Sequence, residues 1–125
     1  MKIQIPILEQ QIVDNTLITK ESATEFEIDT SVYSEERWEK NFPDLACREG
    51  LFQYIERVHQ NALTERVAVA CMLKAIYCFI ESDSIPTYKA FAQMINLATP
   101  DYTERLLTTL RNAFEIILNS SSVKN

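Results

Sequence analysis

VAVACMLKAIYCFI, Val67 to Ile80, decides the fold: it is a run of fourteen residues in which Lys74 is the only charge. Thr64 stands before it as a helix N-cap and Glu65 falls in the first turn. A Thr in that place is expected to satisfy a free amide, and the acid suits the positive end of the helix dipole. The pattern predicts a helix running to about Glu81. A helix that is apolar on every side is a buried one. The run is shorter than the roughly 20 apolar residues that cross a bilayer. It therefore belongs at the centre of a bundle, or on a face used for self-association.

On the N-terminal side of this run, Leu51, Ile55, Val58 and Ala62 fall on one helical stripe with Phe52 beside it, and Gly50 weakens the start of the pattern. On the C-terminal side, a helix beginning near Pro86 carries Tyr88, Phe91, Ala92 and Ile95 on one face. Thr99, Pro100 and Asp101 then give an N-cap, a proline at the first helical position and a first-turn acid. The helix they open is expected to run through Leu118, with Leu107, Leu110, Phe114 and Ile117 buried.

The first thirty residues read differently. Ile3, Ile5 and Ile7 alternate with polar positions, as do Phe26 and Ile28 with Glu25, Glu27 and Asp29, which is the period of half-buried strands. Pro6 assigns the first of them to a sheet edge. The residues between these strands read as a polar connection. Two strands alone are marginal in water, so they must pack on helices or pair with another subunit.

The fold expected is mainly α: a small helical bundle of about five helices with a short N-terminal two-stranded β element. Within one domain, residues 1–30 form the β element, 31–118 the bundle and 119–125 a flexible tail. One Gly, four Pro and 46% hydrophobic residues favour helices over hairpin-rich structure and argue against disorder.

Charge is placed unevenly. Residues 1 to 62 hold 12 acids and 6 bases, and residues 63 to 125 hold 6 of each, so the first half carries the whole net charge of −6. Phosphate neutralisation needs clustered Lys and Arg, and none occurs. Nucleic acid is therefore not an expected partner, and neither is a membrane. The best case for DNA is a helix-turn-helix built from the last two helices. Its reading helix would begin with Asp101 and Glu104, where phosphates are repelled.

Candidate chemistry is sparse. Cys47, Cys71 and Cys78 form an odd set with no secretory run before them, which fits a reducing cytoplasm. On one helix Cys71 and Cys78 would lie about 10.5 Å apart, beyond the roughly 7 Å reach of a disulfide. A zinc site would have to recruit His59 and all three thiols at irregular spacing. There is no Gly-rich phosphate loop, and Glu35 with Glu36 reads first as a pair of helix-start acids. The expectation is no enzyme, no metal and no cofactor.

One further block stands out. Ser34 to Pro43 is SEERWEKNFP, with the only Trp of the chain. Ser34 reads as an N-cap, Trp38 and Phe42 share a helical face, and Pro43 stops the helix. Together with the strand-like residues Glu25 to Ser31 before it and Asp44 to Ala46 after it, the block resembles the tail assembly chaperones of long-tailed bacteriophages and related prophages. The resemblance is clearest from Phe26 to Ala46, and Leu73 to Phe79 is compatible with it. It implies a non-catalytic protein of the bacterial host cytoplasm, absent from the mature virion, that coats the tape measure protein and recruits tail tube subunits. It also implies a homo-oligomer, and that the end at Asn125 is the shorter of two forms. Tyr33, Trp38 and Phe42 are the candidate partner-binding anchors, the competing role for each being to fix the short helix onto the bundle. The alternatives are the helix-turn-helix DNA-binding protein and an unrelated helical adaptor.

Overall fold

The chain reverses at Asp14 and Asn15, whose φ values of 51° and 61° lie in the left-handed region. Short polar side chains tolerate that region. Two such residues in succession form the tight turn whose twist matches a β-hairpin. In the computed structural model, which describes residues 2–61, 63–80, 85–97 and 99–123, β1 (Lys2–Val13) and β2 (Thr16–Glu27) pair antiparallel on either side of this turn. The ribbon is longer than the short element expected from the isoleucines. The residues read as a polar connection continue both strands, because the turn needs only two of them.

The inner half of the ribbon lies on the bundle. Ile3, Ile5, Ile7 and Phe26 are buried, and the register pairing Ile3 with Phe26 puts them on one face. From Gln11 to Lys20 every side chain is exposed. Pro6 fits the expected edge. Val13 and Thr16 flank a two-residue turn and so form a hydrogen-bonded pair, and such pairs recur at every second position of β1. Pro6 falls between them, where a missing N–H costs the ladder nothing. Its carbonyl points away from β2 and accepts a hydrogen bond from the Tyr102 hydroxyl. At the base of the ribbon a single bridge joins Ile28 to Ile80, and the Asp29 N–H donates to the Phe79 carbonyl at 2.7 Å.

Six helices follow among the described residues: α1 (Val32–Asn41), α2 (Pro43–Ala46), α3 (Leu51–Gln60), α4 (Glu65–Phe79), α5 (Tyr88–Gln93) and α6 (Pro100–Val123). The mainly helical class with an antiparallel N-terminal β element is as expected. The count exceeds about five because Pro43, unable to continue α1, opens the separate single turn α2. Gly50 lies at the N-cap of α3, not inside it. α6 remains helical past Leu118, since neither Gly nor Pro interrupts it and a formed helix extends at little cost. The expected tail is thereby shortened, and residues 124–125 lie outside the described residues. Ala62 and Glu81, placed in helices by pattern, lie outside them too.

α4 is the central helix. It packs against α1, α3, α5 and α6, and Ala68, Val69, Met72, Leu73 and the whole of Ala75 to Phe79 are buried. α6 supplies Leu107, Leu110, Phe114 and Ile117 to the same core, with Tyr102 and Leu106. All three cysteines are free, and burial pushes the Cys78 thiol up to about 12. No described helix is long and apolar enough to cross a membrane.

Candidate partner-binding site

α1 begins two residues before its expected cap. Ser31 is the N-cap and its hydroxyl accepts from the Tyr33 N–H at 3.3 Å. Ser34, expected in that role, is fully buried, and its hydroxyl donates to the Ser31 carbonyl at 2.7 Å. The register is set upstream: Asp29 Oδ1 accepts from the Ser31 N–H at 2.9 Å and turns the chain out of β2. These bonds to Ser31, followed by the pairing with Arg37, hold the Asp29 carboxyl below its usual range.

This start places the three anchor candidates in different environments. Trp38 has no exposed surface. Its indole N–H donates to the Glu49 carbonyl at 3.0 Å, and its ring lies 4.8 Å from that of Tyr54 and 5.5 Å from that of Phe42. Phe42 is half-buried and meets Tyr88 edge-on at 5.0 Å. The ring contacts continue through Tyr77 and Phe91 to Phe26, so one aromatic chain ties α1 to α5, α4 and the hairpin. Trp38 and Phe42 therefore fasten α1 to the bundle. Tyr33 is the exception: it is 57% exposed, beside Val32 at 79%.

Arg37, which no pattern in the sequence singled out, organises this end of the molecule. Its Nε donates to the Cys78 carbonyl at 2.6 Å and its Nη2 to Asp29 Oδ2 at 3.2 Å, while the guanidinium lies 4.9 Å from the centre of the Tyr33 ring. One side chain thus satisfies the end of α4, the turn before α1 and the inner face of the exposed Tyr33. Glu35 acts at a distance in the same way. It reads as a first-turn acid of α1, which it is, and its Oε2 also accepts from the Leu51 N–H at 3.0 Å, supplying the side-chain cap that Gly50 cannot. Both partners lie far along the chain, so local pattern carries no sign of either.

The remaining exposed large apolar side chains concentrate on the outer hairpin, where Ile12, Val13, Leu17 and Ile18 are 78%, 45%, 60% and 48% exposed. Between the ribbon and α6 runs an open groove of about 490 Å³, floored by Pro6 and Ala23 and walled by Glu104, Arg105 and Thr108. Arg105, on its wall, pairs with Glu21 of β2 at 2.6 Å. Among the described residues no three His, Cys, Asp or Glu side chains are placed to hold a metal ion. His59 lies on α3 with its Nε2 3.8 Å from Glu115 of α6, a contact between helices. The geometry offers surfaces for association: the exposed start of α1 and the outer hairpin.

No family model, curated protein or solved structure matches the chain.

Proposed function

We propose that the protein is a non-catalytic tail assembly chaperone of a long-tailed bacteriophage or related prophage, which coats the tape measure protein in the host cytoplasm and recruits tail tube subunits. The observation that carries the reading is the exposed pair Val32 and Tyr33 at the head of α1, inside the block from Phe26 to Ala46 that resembles this family. An aromatic ring held from beneath by a guanidinium is a pre-ordered anchor, and such side chains dominate many interfaces. Tyr33 is thus the partner contact, and Trp38 and Phe42 are its support.

A tape measure protein is long and helical, and its apolar stripes need cover until the tube encloses them. Many copies of a small module fit that task. Each contact can be weak, because assembly supplies avidity and lets tube subunits displace the coat stepwise. The acidic first half of the chain keeps such a coat soluble. Homo-oligomerisation belongs to the same reading.

The DNA-binding alternative has less support. Tyr102 and Thr103, in the first turn of α6, are buried, and Tyr102 is bonded to β1, whereas a recognition helix needs its N-terminal residues free to reach base edges.

The test is co-expression with the longest helical protein encoded beside it, followed by copurification and light scattering. A complex holding several copies of this chain, lost in Tyr33→Ala, is the expected result. A well-folded chain that binds neither that protein nor the tube protein refutes the proposal and moves the assignment to an unrelated adaptor.

A further inference from the structure

The outer hairpin is a ribbon of two strands with nothing packed on it among the described residues, although it carries Ile12, Val13, Leu17 and Ile18 in exposed positions. Isolated two-stranded ribbons are marginal in water, and open edges are templates for further strands. The two edges differ. β2 carries Lys20, Glu21, Glu25 and Glu27, charges that discourage pairing. Were two copies of β2 to pair about Lys20 or about Glu21, like charges would face each other at the centre.

The edge of β1 is closed only at one end. Positions with even numbers turn their N–H and C=O groups outward, as the Pro6 carbonyl shows by accepting from Tyr102. The Leu8 amide supports the same hydroxyl. Past Leu8, neither Gln10 nor Ile12 makes a backbone hydrogen bond to another element among the described residues, and every side chain from Gln11 to Lys20 is exposed.

The sequence along this open edge is Ile7-Leu8-Glu9-Gln10-Gln11-Ile12-Val13. Its polarity is a palindrome about Gln10: two apolar residues, three polar ones, two apolar ones. An antiparallel partner strand of the same sequence, centred on Gln10, places Leu8 opposite Ile12 and Ile7 opposite Val13. Glu9 falls opposite Gln11, so no like charges meet. The register also brings Gln10 of one copy against Gln10 of the other, and the Leu8 carbonyl of each against the Ile12 amide of its neighbour, which is the phase that hydrogen bonding requires; the Leu8 amide stays with the Tyr102 hydroxyl. Leu17 pairs with Ile12 within the hairpin, so an apolar row of Leu17, Ile12 and the second copy's Leu8 crosses the joined sheet on one face.

We infer that the open edge of β1 is a self-assembly site, where a second copy of this chain pairs antiparallel about Gln10 to make a four-stranded sheet in the order β2, β1, β1, β2. The pairing specifies the homo-oligomer of the reading above, and it stands without the tape measure protein.

The test uses the full chain alone, by light scattering over a dilution series. Wild type is expected at twice the monomer mass at high concentration. Gln10→Pro removes an outward N–H at the same phase as Pro6, and should leave a monomer with an unchanged far-UV spectrum. Ile12→Lys, at a site that is already solvated, should do the same and decides the matter should Gln10→Pro fail to fold. In a Cys47→Ser background, Gln10→Cys should form an oxidised dimer, its Cα atoms being about 5.5 Å apart across a hydrogen-bonded pair. Thr19→Cys, on the far strand, should not. A chain that is monomeric at every concentration overturns the inference, as does an oligomer that Ile12→Lys leaves intact or equal cross-linking by the two cysteine variants.

Discussion

Trp38→Ala separates a core role from a recognition role, and its cost follows from the structure. The indole is fully buried, in ring contact with Tyr54 and Phe42 and hydrogen-bonded to the Glu49 carbonyl. Truncating a buried Trp costs about 3–5 kcal/mol through lost transfer energy and the cavity left behind. The carbonyl that loses its donor adds roughly 1 kcal/mol. For a chain of this size each kcal/mol lowers Tm by about 4 °C, so the variant should melt roughly 16–24 °C lower. Trp38→Phe keeps much of the volume and loses the hydrogen bond, and should fall by about 2 kcal/mol. The assay is thermal unfolding followed by far-UV circular dichroism, at one fixed protein concentration so that self-association does not move the midpoint. A Trp38→Ala protein that melts within a few degrees of wild type, yet no longer binds its partner, would refute the placement of Trp38 in the core.

Tyr33→Ala should change stability by less than about 1 kcal/mol, since it removes an exposed ring and one cation–π contact, while weakening any partner complex measured by calorimetry. Arg37→Ala should cost about 2–3 kcal/mol, because the Cys78 carbonyl and Asp29 lose their donor together, and Arg37→Lys should recover only part of it, read as a shift in urea midpoint. Alkali should destabilise the fold. Burial raises the Cys78 thiol from 9.0 and the Tyr102 hydroxyl from 10.0, each to about 12. The native state therefore holds protons that the unfolded chain has released, and the stability these groups contribute is complete below about pH 9 and is lost as pH rises towards 12, at up to about 1.4 kcal/mol per pH unit for each group. Tyr102→Phe should flatten that loss above pH 10, and an unchanged pH profile of denaturant midpoints would show that Tyr102 is not buried as described.

The sequence determined whatever depends on neighbours in the chain. An unbroken apolar run behind a cap placed the central helix at Val67 to Ile80, and apolar period placed the buried stripe of α6 and the inward face of Ile3, Ile5 and Ile7, because burial repeats every 3.6 residues in a helix and every 2 in a strand. Thr99, Pro100 and Asp101 marked the start of α6 for the same local reason. The turn at Asp14 and Asn15 was legible in principle, as two short polar residues that accept positive φ, flanked by Ile12 and Val13 on one side and Thr16, Leu17 and Ile18 on the other, a strand-like setting that the reading as a polar connection passed over.

The tertiary structure alone decided which aromatic residues are core and which face solvent. Tyr33 and Trp38 lie on one short helix and Phe42 caps its end, and nothing local distinguishes them. Trp38 is buried because Glu49 and Tyr54, brought back by the turn through α2, meet it on one side. Tyr33 is exposed because Arg37 is drawn away from solvent to Cys78 and Asp29 and supports the ring from within. The start of α3 followed the same rule, Glu35 capping it across 16 residues of chain, whereas the cap of α1 moved from Ser34 to Ser31 through a local bond, Asp29 lying only two residues before Ser31. Hydrogen-bond partners that far apart are chosen by packing, and packing is settled only when the whole chain has closed on its core.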